Sequence, residues 1–174
     1  MSENIINNNF STLANNTPDI ISVLKELNIN TPSFSLDGYY SLAKVVSVYD
    51  GDTCKVIIPF KNDFYKWNVR LTGYDTPEMR PSRSKPNRDD EIKAAKAAKS
   101  FLKSKIMNSS SQLIYIKCGK FDKYGRLLAE IYTDINDNVS INQEMINNGH
   151  GYVYNGGTKR IYWLLFYYFN INNY

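Results

Sequence analysis

The sequence is short of the residues that mark several protein classes. Its 174 positions hold two cysteines, one histidine and two tryptophans. Cys54 and Cys118 both sit in apolar runs, so they read as buried thiols rather than as a disulfide framework. A lone histidine, His150, leaves no His/Cys cluster for a soft metal. It follows a helix-stopping glycine and reads as a surface residue without a role. No apolar stretch reaches the ~18–20 residues a membrane-spanning helix needs. The first twenty residues have neither a basic segment nor an apolar run, so no signal peptide is recognisable and an intracellular location is expected.

What is present is a modest positive charge, formally +4, which suits an anionic partner without identifying one. The charge is uneven, with Arg80, Arg83, Lys85, Arg88, Lys93, Lys96, Lys99, Lys103 and Lys105 close together. Residues 1–40 form an Asn-rich leader with one short amphipathic helix. Thr17-Pro18 opens that helix, and Ile20, Ile21, Leu24 and Leu27 mark an apolar face expected to pack on the domain. From Ser41 the period becomes two. In the first strand Ala43, Val45 and Ser47 face one way, and Lys44, Val46 and Val48 the other. Asp50-Gly51-Asp52 is a hairpin turn. Cys54–Ile58 is a second strand closed by Pro59, and a third runs through Trp67, Val69 and Leu71 into Arg70 and the Thr76-Pro77 break.

A basic loop from Met79 to Arg88 leads into a helix opened by Asp89, Asp90 and Glu91, with Ile92, Ala95, Leu102 and Ile106 as its buried stripe. Its lysines form either a solvated face or a nucleic-acid contact. Leu113–Ile116 and Leu127–Tyr132 are two further strands. Ser140 and Gln143 cap a second helix, which Gly149 stops. Five short strands with a helix between the third and fourth predict an α+β protein: a five-stranded OB-type barrel with two or three attached helices, over residues 41–155. The segment 156–174 ends in an uncharged aromatic run, Ile161–Phe169, too short to span a bilayer. A closing core segment is expected there, with a dimer contact or interfacial membrane docking as alternatives.

Three clusters carry the chemistry: Asp50-Gly51-Asp52-Thr53, Arg70 with Asp75-Thr76-Pro77-Glu78, and Asp122-Lys123-Tyr124-Gly125-Arg126. Carboxylates and a carbonyl are ligands for a hard cation, and arginine forks suit phosphate. In this order, with these strands between them, the clusters resemble the staphylococcal nuclease (thermonuclease) family over residues 43–154. The resemblance implies a Ca²⁺-dependent nuclease that cuts DNA and RNA with little sequence preference and leaves 3′-phosphate ends. It implies that Asp52, Asp75 and the Thr76 carbonyl hold the metal, and that Arg70 and Arg126 grip the phosphate. Glu78 then serves as general base or water-positioner. Asp50 either supports the metal ligands from behind or serves the turn. Lys123 and Tyr124 match positions contacting the terminal phosphate, and Tyr152 and Tyr154 match tyrosines lining the nucleotide pocket. Two features depart from the family: the loop after Glu78 differs in length and composition, and the long charged third helix is missing after Tyr154. The alternative is a catalytically inactive OB-fold module that binds nucleic acid or protein. Five intact charged positions argue against it.

Overall fold

The structure, a computed structural model, describes residues 17–156. The predicted leader up to residue 16 and the aromatic run Ile161–Phe169 lie outside the described residues. The chain divides into two compact units, residues 1–34 and 35–174. In the first, α1 (Thr17–Glu26) forms where the Thr-Pro start and apolar spacing predict it. Its Ile20, Ile21 and Leu24 remain about half exposed.

The second unit is a closed barrel of β1 (Tyr40–Val48), β2 (Thr53–Phe60), β3 (Asp63–Leu71), β5 (Leu113–Phe121) and β6 (Leu127–Tyr132), in the order β1-β2-β3-β6-β5. This is the α+β, OB-type architecture expected. α2 (Arg88–Ile106) joins the third and fourth barrel strands, and α3 (Ile141–Asn147) follows the last. The core is filled by inward residues of every strand, among them Val45, Val56, Val69, Ile116 and Ile131, and by Leu102 and Met145 from the helices.

Three local differences have physical causes. The β1–β2 register shifts between Val45 and Ser47; that bulge inverts the alternation, so Val48 is buried and Ser47 is not. β2 continues through Pro59 to Phe60. The β1 ladder stops at Ile57, leaving Pro59 on an open edge where its missing donor costs no β1–β2 bond. In α2 the buried residues are Glu91, Ala95, Ala98, Leu102 and Ile106, so Glu91 takes the inward place expected for Ile92. His150 is a further correction. It is half-buried, stacked on Phe101 with ring centroids 4.3 Å apart, and burial lowers its pKa. Among the described residues no helix is long and apolar enough to cross a membrane.

Two pairings position the site. β3 runs parallel to β6, with Val69 opposite Leu127 and Arg70 opposite Leu128, so Arg70 and Arg126 emerge near one another. A two-stranded sheet unseen in the sequence pattern joins β4 (Tyr74–Asp75) to β7 (Tyr152–Val153) and sets Asp75 opposite Tyr152.

Candidate active site

Arg70 leaves the end of β3 with its guanidinium about nine-tenths buried among protein oxygens. Nη1 donates to the Leu71 carbonyl at 2.9 Å and lies 3.1 Å from Oδ2 of Asp52. Nη2 donates to the Tyr74 carbonyl at 3.0 Å and to Oδ1 of Asp75 at 2.9 Å. Asp52 and Asp75 are 6% and 1% exposed. Two buried carboxylates therefore converge on the Arg70 guanidinium, from the β1–β2 turn and from β4.

Each carboxylate is held from behind. Thr53 Oγ1 donates to Asp52 Oδ1 at 2.9 Å and Thr76 Oγ1 to Oδ2 at 3.1 Å. The hydroxyl of Tyr152 donates to Asp75 Oδ2 at 2.9 Å. Asp50 accepts the Asp52 backbone N–H at 3.2 Å, so it serves the turn. Burial pushes the Asp52 carboxyl up to about 7; Arg70 opposes this, and the like charges of Asp50 and Asp75 reinforce it. Burial also raises the Tyr152 phenol, with Asp75 and Glu78 adding to the shift. The Glu78 charge is thus felt at Asp75's own hydrogen-bond partner.

Gly51 permits this packing: a Cβ there would meet Thr76 Cγ2 at 2.8 Å and Ala98 Cβ at 2.9 Å. Gly151 does the same beside Tyr74, whose hydroxyl donates to the Gly51 carbonyl at 2.8 Å.

Beside this centre opens a cavity of about 470 Å³, lined by Arg70, Asp122, Lys123, Tyr124, Arg126 and Tyr154 among others. Arg126 Nε donates to Asp122 Oδ2 at 2.7 Å, and the backbone N–H groups of Tyr124 and Arg126 donate to Oδ1, each at 2.9 Å. Although burial pushes Asp122 up, those bonds bring its pKa below the usual value. Tyr124 is 72% exposed, with Lys123 Nζ 5.0 Å and Arg126 Cζ 5.6 Å from its ring centroid. With Nε anchored, the terminal nitrogens of Arg126 carry no hydrogen bond among the described residues. Arg70, by contrast, has both terminal nitrogens engaged by the protein.

The sequence pattern of the Staphylococcal nuclease homologue family matches residues 68–161. The chain belongs to this family. It is 37% identical over 118 residues to the endonuclease YncB of Bacillus subtilis, covering 64% of this chain and 49% of that protein. It is 32% identical over 130 residues to an uncharacterised protein of Methanocaldococcus jannaschii, covering 67% and 59%. A prophage-derived endonuclease of B. subtilis, YokF, is 35% identical over 121 residues, covering 64% and 35%. Each match spans less than two thirds of the relative's own length.

In this member of the staphylococcal nuclease family, Arg70, Asp52, Asp75 and Thr76 lie together, and Arg126, Lys123, Tyr124 and Tyr154 share the adjoining cavity. Tyr152 is buried beneath Asp75 rather than lining that cavity. Among the described residues no three His, Cys, Asp or Glu side chains gather as a metal cluster. The buried carboxylates of Asp52 and Asp75 are hard oxygen donors, of the kind that suit a hard divalent cation and not a soft one. From sequence, Asp122, Glu91 and Asn142 carry no assigned role as organisers of the site. Asn142 bridges two elements: Nδ2 donates to the Thr72 and Ala129 carbonyls at 2.9 and 3.0 Å, and Oδ1 accepts from Ile131 N at 3.1 Å. Asp122 had a sequence signal in its i,i+4 spacing to Arg126; buried Glu91 had none.

Proposed function

We propose that this chain is a Ca²⁺-dependent nuclease that hydrolyses phosphodiester bonds of DNA and RNA with little sequence preference. The observation that carries this is the cavity shared by Arg70 and Arg126 beside the Asp52–Asp75 pair. Arg126 can grip a phosphodiester with its terminal nitrogens, and the Arg70 charge behind it helps stabilise the charge that grows as water attacks. Asp52, Asp75 and the Thr76 carbonyl would hold the ion, which supplies charge neutralisation at the phosphate and polarises its oxygens.

Glu78, three residues after Asp75 and exposed to solvent, would take a proton from the attacking water or orient it. General-base assistance of that kind is worth typically ~10²–10⁴-fold. Arg126 offers its two free terminal nitrogens to the phosphate, while Arg70 works from within the carboxylate cage. Tyr154 and Tyr124 present rings on which a base or sugar can rest, and Lys123 adds charge at the far side. A low sequence preference and cleavage leaving a 3′-phosphate both follow the family resemblance.

Purified protein is incubated with single-stranded DNA and with RNA, in Ca²⁺ or in excess chelator. Fragmentation of both in Ca²⁺ alone is expected. Persistent cleavage in chelator would remove the ion from the mechanism. Binding without cleavage under every condition would leave an inactive nucleic-acid-binding barrel.

A further inference from the structure

One buried charge takes no part in the chemistry above. Glu91, in the first turn of α2, is 2% exposed, and carboxylates are almost never that buried unless paired. Its partners lie on the segment that follows the carboxylate centre. Lys85 Nζ sits 2.7 Å from Oε2. The backbone N–H of Glu78 donates to Oε1 at 3.3 Å. A further tie runs from Arg88 Nε to the carbonyl of the buried Pro81, at 3.4 Å. The start of α2 thus holds loop 79–87 at its beginning, middle and end.

The helix is a firm base for this. Ala95, Ala98 and Leu102 bury its inner face, and Ala98 lies close enough to Gly51 that a Cβ there would come within 2.9 Å. The helix that carries Glu91 therefore packs, through Ala98, against the turn that carries Asp52, while Glu91 itself holds the main chain of Glu78, whose own side chain is exposed.

We propose that Glu91 is a positioning residue: with Lys85 it forms a latch that fixes the Glu78 backbone, and through it the Glu78 carboxylate, relative to Asp52 and Asp75. This rests on the nuclease reading for the role of Glu78. The latch is a physical claim of its own, because Lys85 and Glu91 restrain the loop whether or not the site turns over. A catalytic group displaced by ~1 Å can cost as much as ~10²-fold, so releasing one backbone tie suffices to matter.

The test uses Glu91→Ala, Glu91→Gln, Lys85→Met and the double variant Glu78→Gln/Glu91→Ala, with two readouts. In the first, Ca²⁺-dependent cleavage of single-stranded DNA, Glu91→Ala lowers kcat by ~10-fold or more, with KM within about threefold. Glu91→Gln, whose amide oxygen still accepts the Glu78 N–H, recovers most of that loss. The double variant is no slower than Glu78→Gln alone, since Glu91 acts only through Glu78.

The second readout is limited trypsinolysis. Arg80 and Lys85 each precede a proline, so Arg83–Ser84 is the cleavable bond inside the loop. Glu91→Ala opens it faster than in the wild type, and Lys85→Met does so to a lesser degree. Unchanged cutting in both variants overturns the latch. So does an Glu91→Ala loss that multiplies in the Glu78→Gln background, which would mark a general packing role. A wild type that cleaves no nucleic acid defeats the nuclease reading instead, and proteolysis alone then decides the latch.

Discussion

Asp52 shows how far a functional side chain can work against the fold that carries it. Its carboxyl is pushed from 3.8 up to about 7, chiefly by burial. The folded chain therefore keeps a proton that the unfolded chain releases. Stability falls as pH rises between those two values and levels off above the upper one. Asp52→Asn removes that titration. In metal-free buffer the variant's stability relative to the wild type should therefore be more favourable at pH 8 than at pH 4, on top of the pH-independent loss of an Arg70 partner. Urea titrations at both pH values test this, and a relative stability that worsens from pH 4 to pH 8 would contradict it. The two arginines should separate in the same way. Arg70→Lys gives up a fork bonded to two carbonyls and two carboxylates, so it should lower both the thermal midpoint and kcat. Arg126→Lys should lower kcat by orders of magnitude and barely move the midpoint, because its one anchor is the partly exposed Asp122. Tyr154→Ala should raise KM more than it lowers kcat.

At the scale of elements, most of what could be read in the sequence was periodic and most of what could not was a pairing. β6 appeared at its full length, Leu127–Tyr132, because both ends carry turn signals and the alternation is unbroken. The capping box at Ser140 was equally visible, and its hydroxyl does accept from Gln143 N at 3.2 Å. The bulge in β1 was hidden, since one extra residue inverts the faces without changing composition. β4 and β7 were hidden as well: two residues each are too few to show a period, and their partner is far away in the chain. The charged motifs named Arg70, Asp75 and Arg126, but the parallel β3–β6 contact that brings the arginines together is a tertiary fact. So is the cross-link by Asn142, which ties α3 to β6 and to Thr72, the residue after β3. Asn142→Leu should cost roughly 2–4 kcal/mol, because it takes away the partner of Ile131 N and of the Thr72 carbonyl, while the Ala129 carbonyl keeps the Thr72 N–H. Gly151→Ala should disturb the β4–β7 sheet directly: its new Cβ would sit 2.5 Å from Tyr74 Cδ2 and 3.2 Å from the Asp75 carbonyl oxygen. A lowered midpoint together with weaker Ca²⁺ binding is the expected signature.

Across the whole molecule the open question is what the excess positive charge is for. Lys93, Lys96 and Lys103 are exposed on α2, and at ~100° per residue they fall within one flank of the helix. On the other flank Lys105 pairs with Glu144 of α3 at 2.7 Å. None of the other three has an ion-pair partner among the described residues. α2 also starts at the site, because its first turn holds Glu78. On the proposed reading, a long strand that runs on from the site along α2 would meet these lysines, and a dinucleotide bound at the site would not. Each lysine that neutralises a phosphate contributes about 0.7 to the slope of log K against log salt for a single strand. Replacing Lys93, Lys96 and Lys103 by glutamine, a residue of similar helix propensity, should therefore flatten the slope for long single-stranded DNA by roughly two units. It should also raise KM for that substrate and leave kcat on a dinucleotide unchanged. A merely solvated face would leave the slope where it was, and a loss on both substrates alike would point to damage of the fold rather than to a track for the strand.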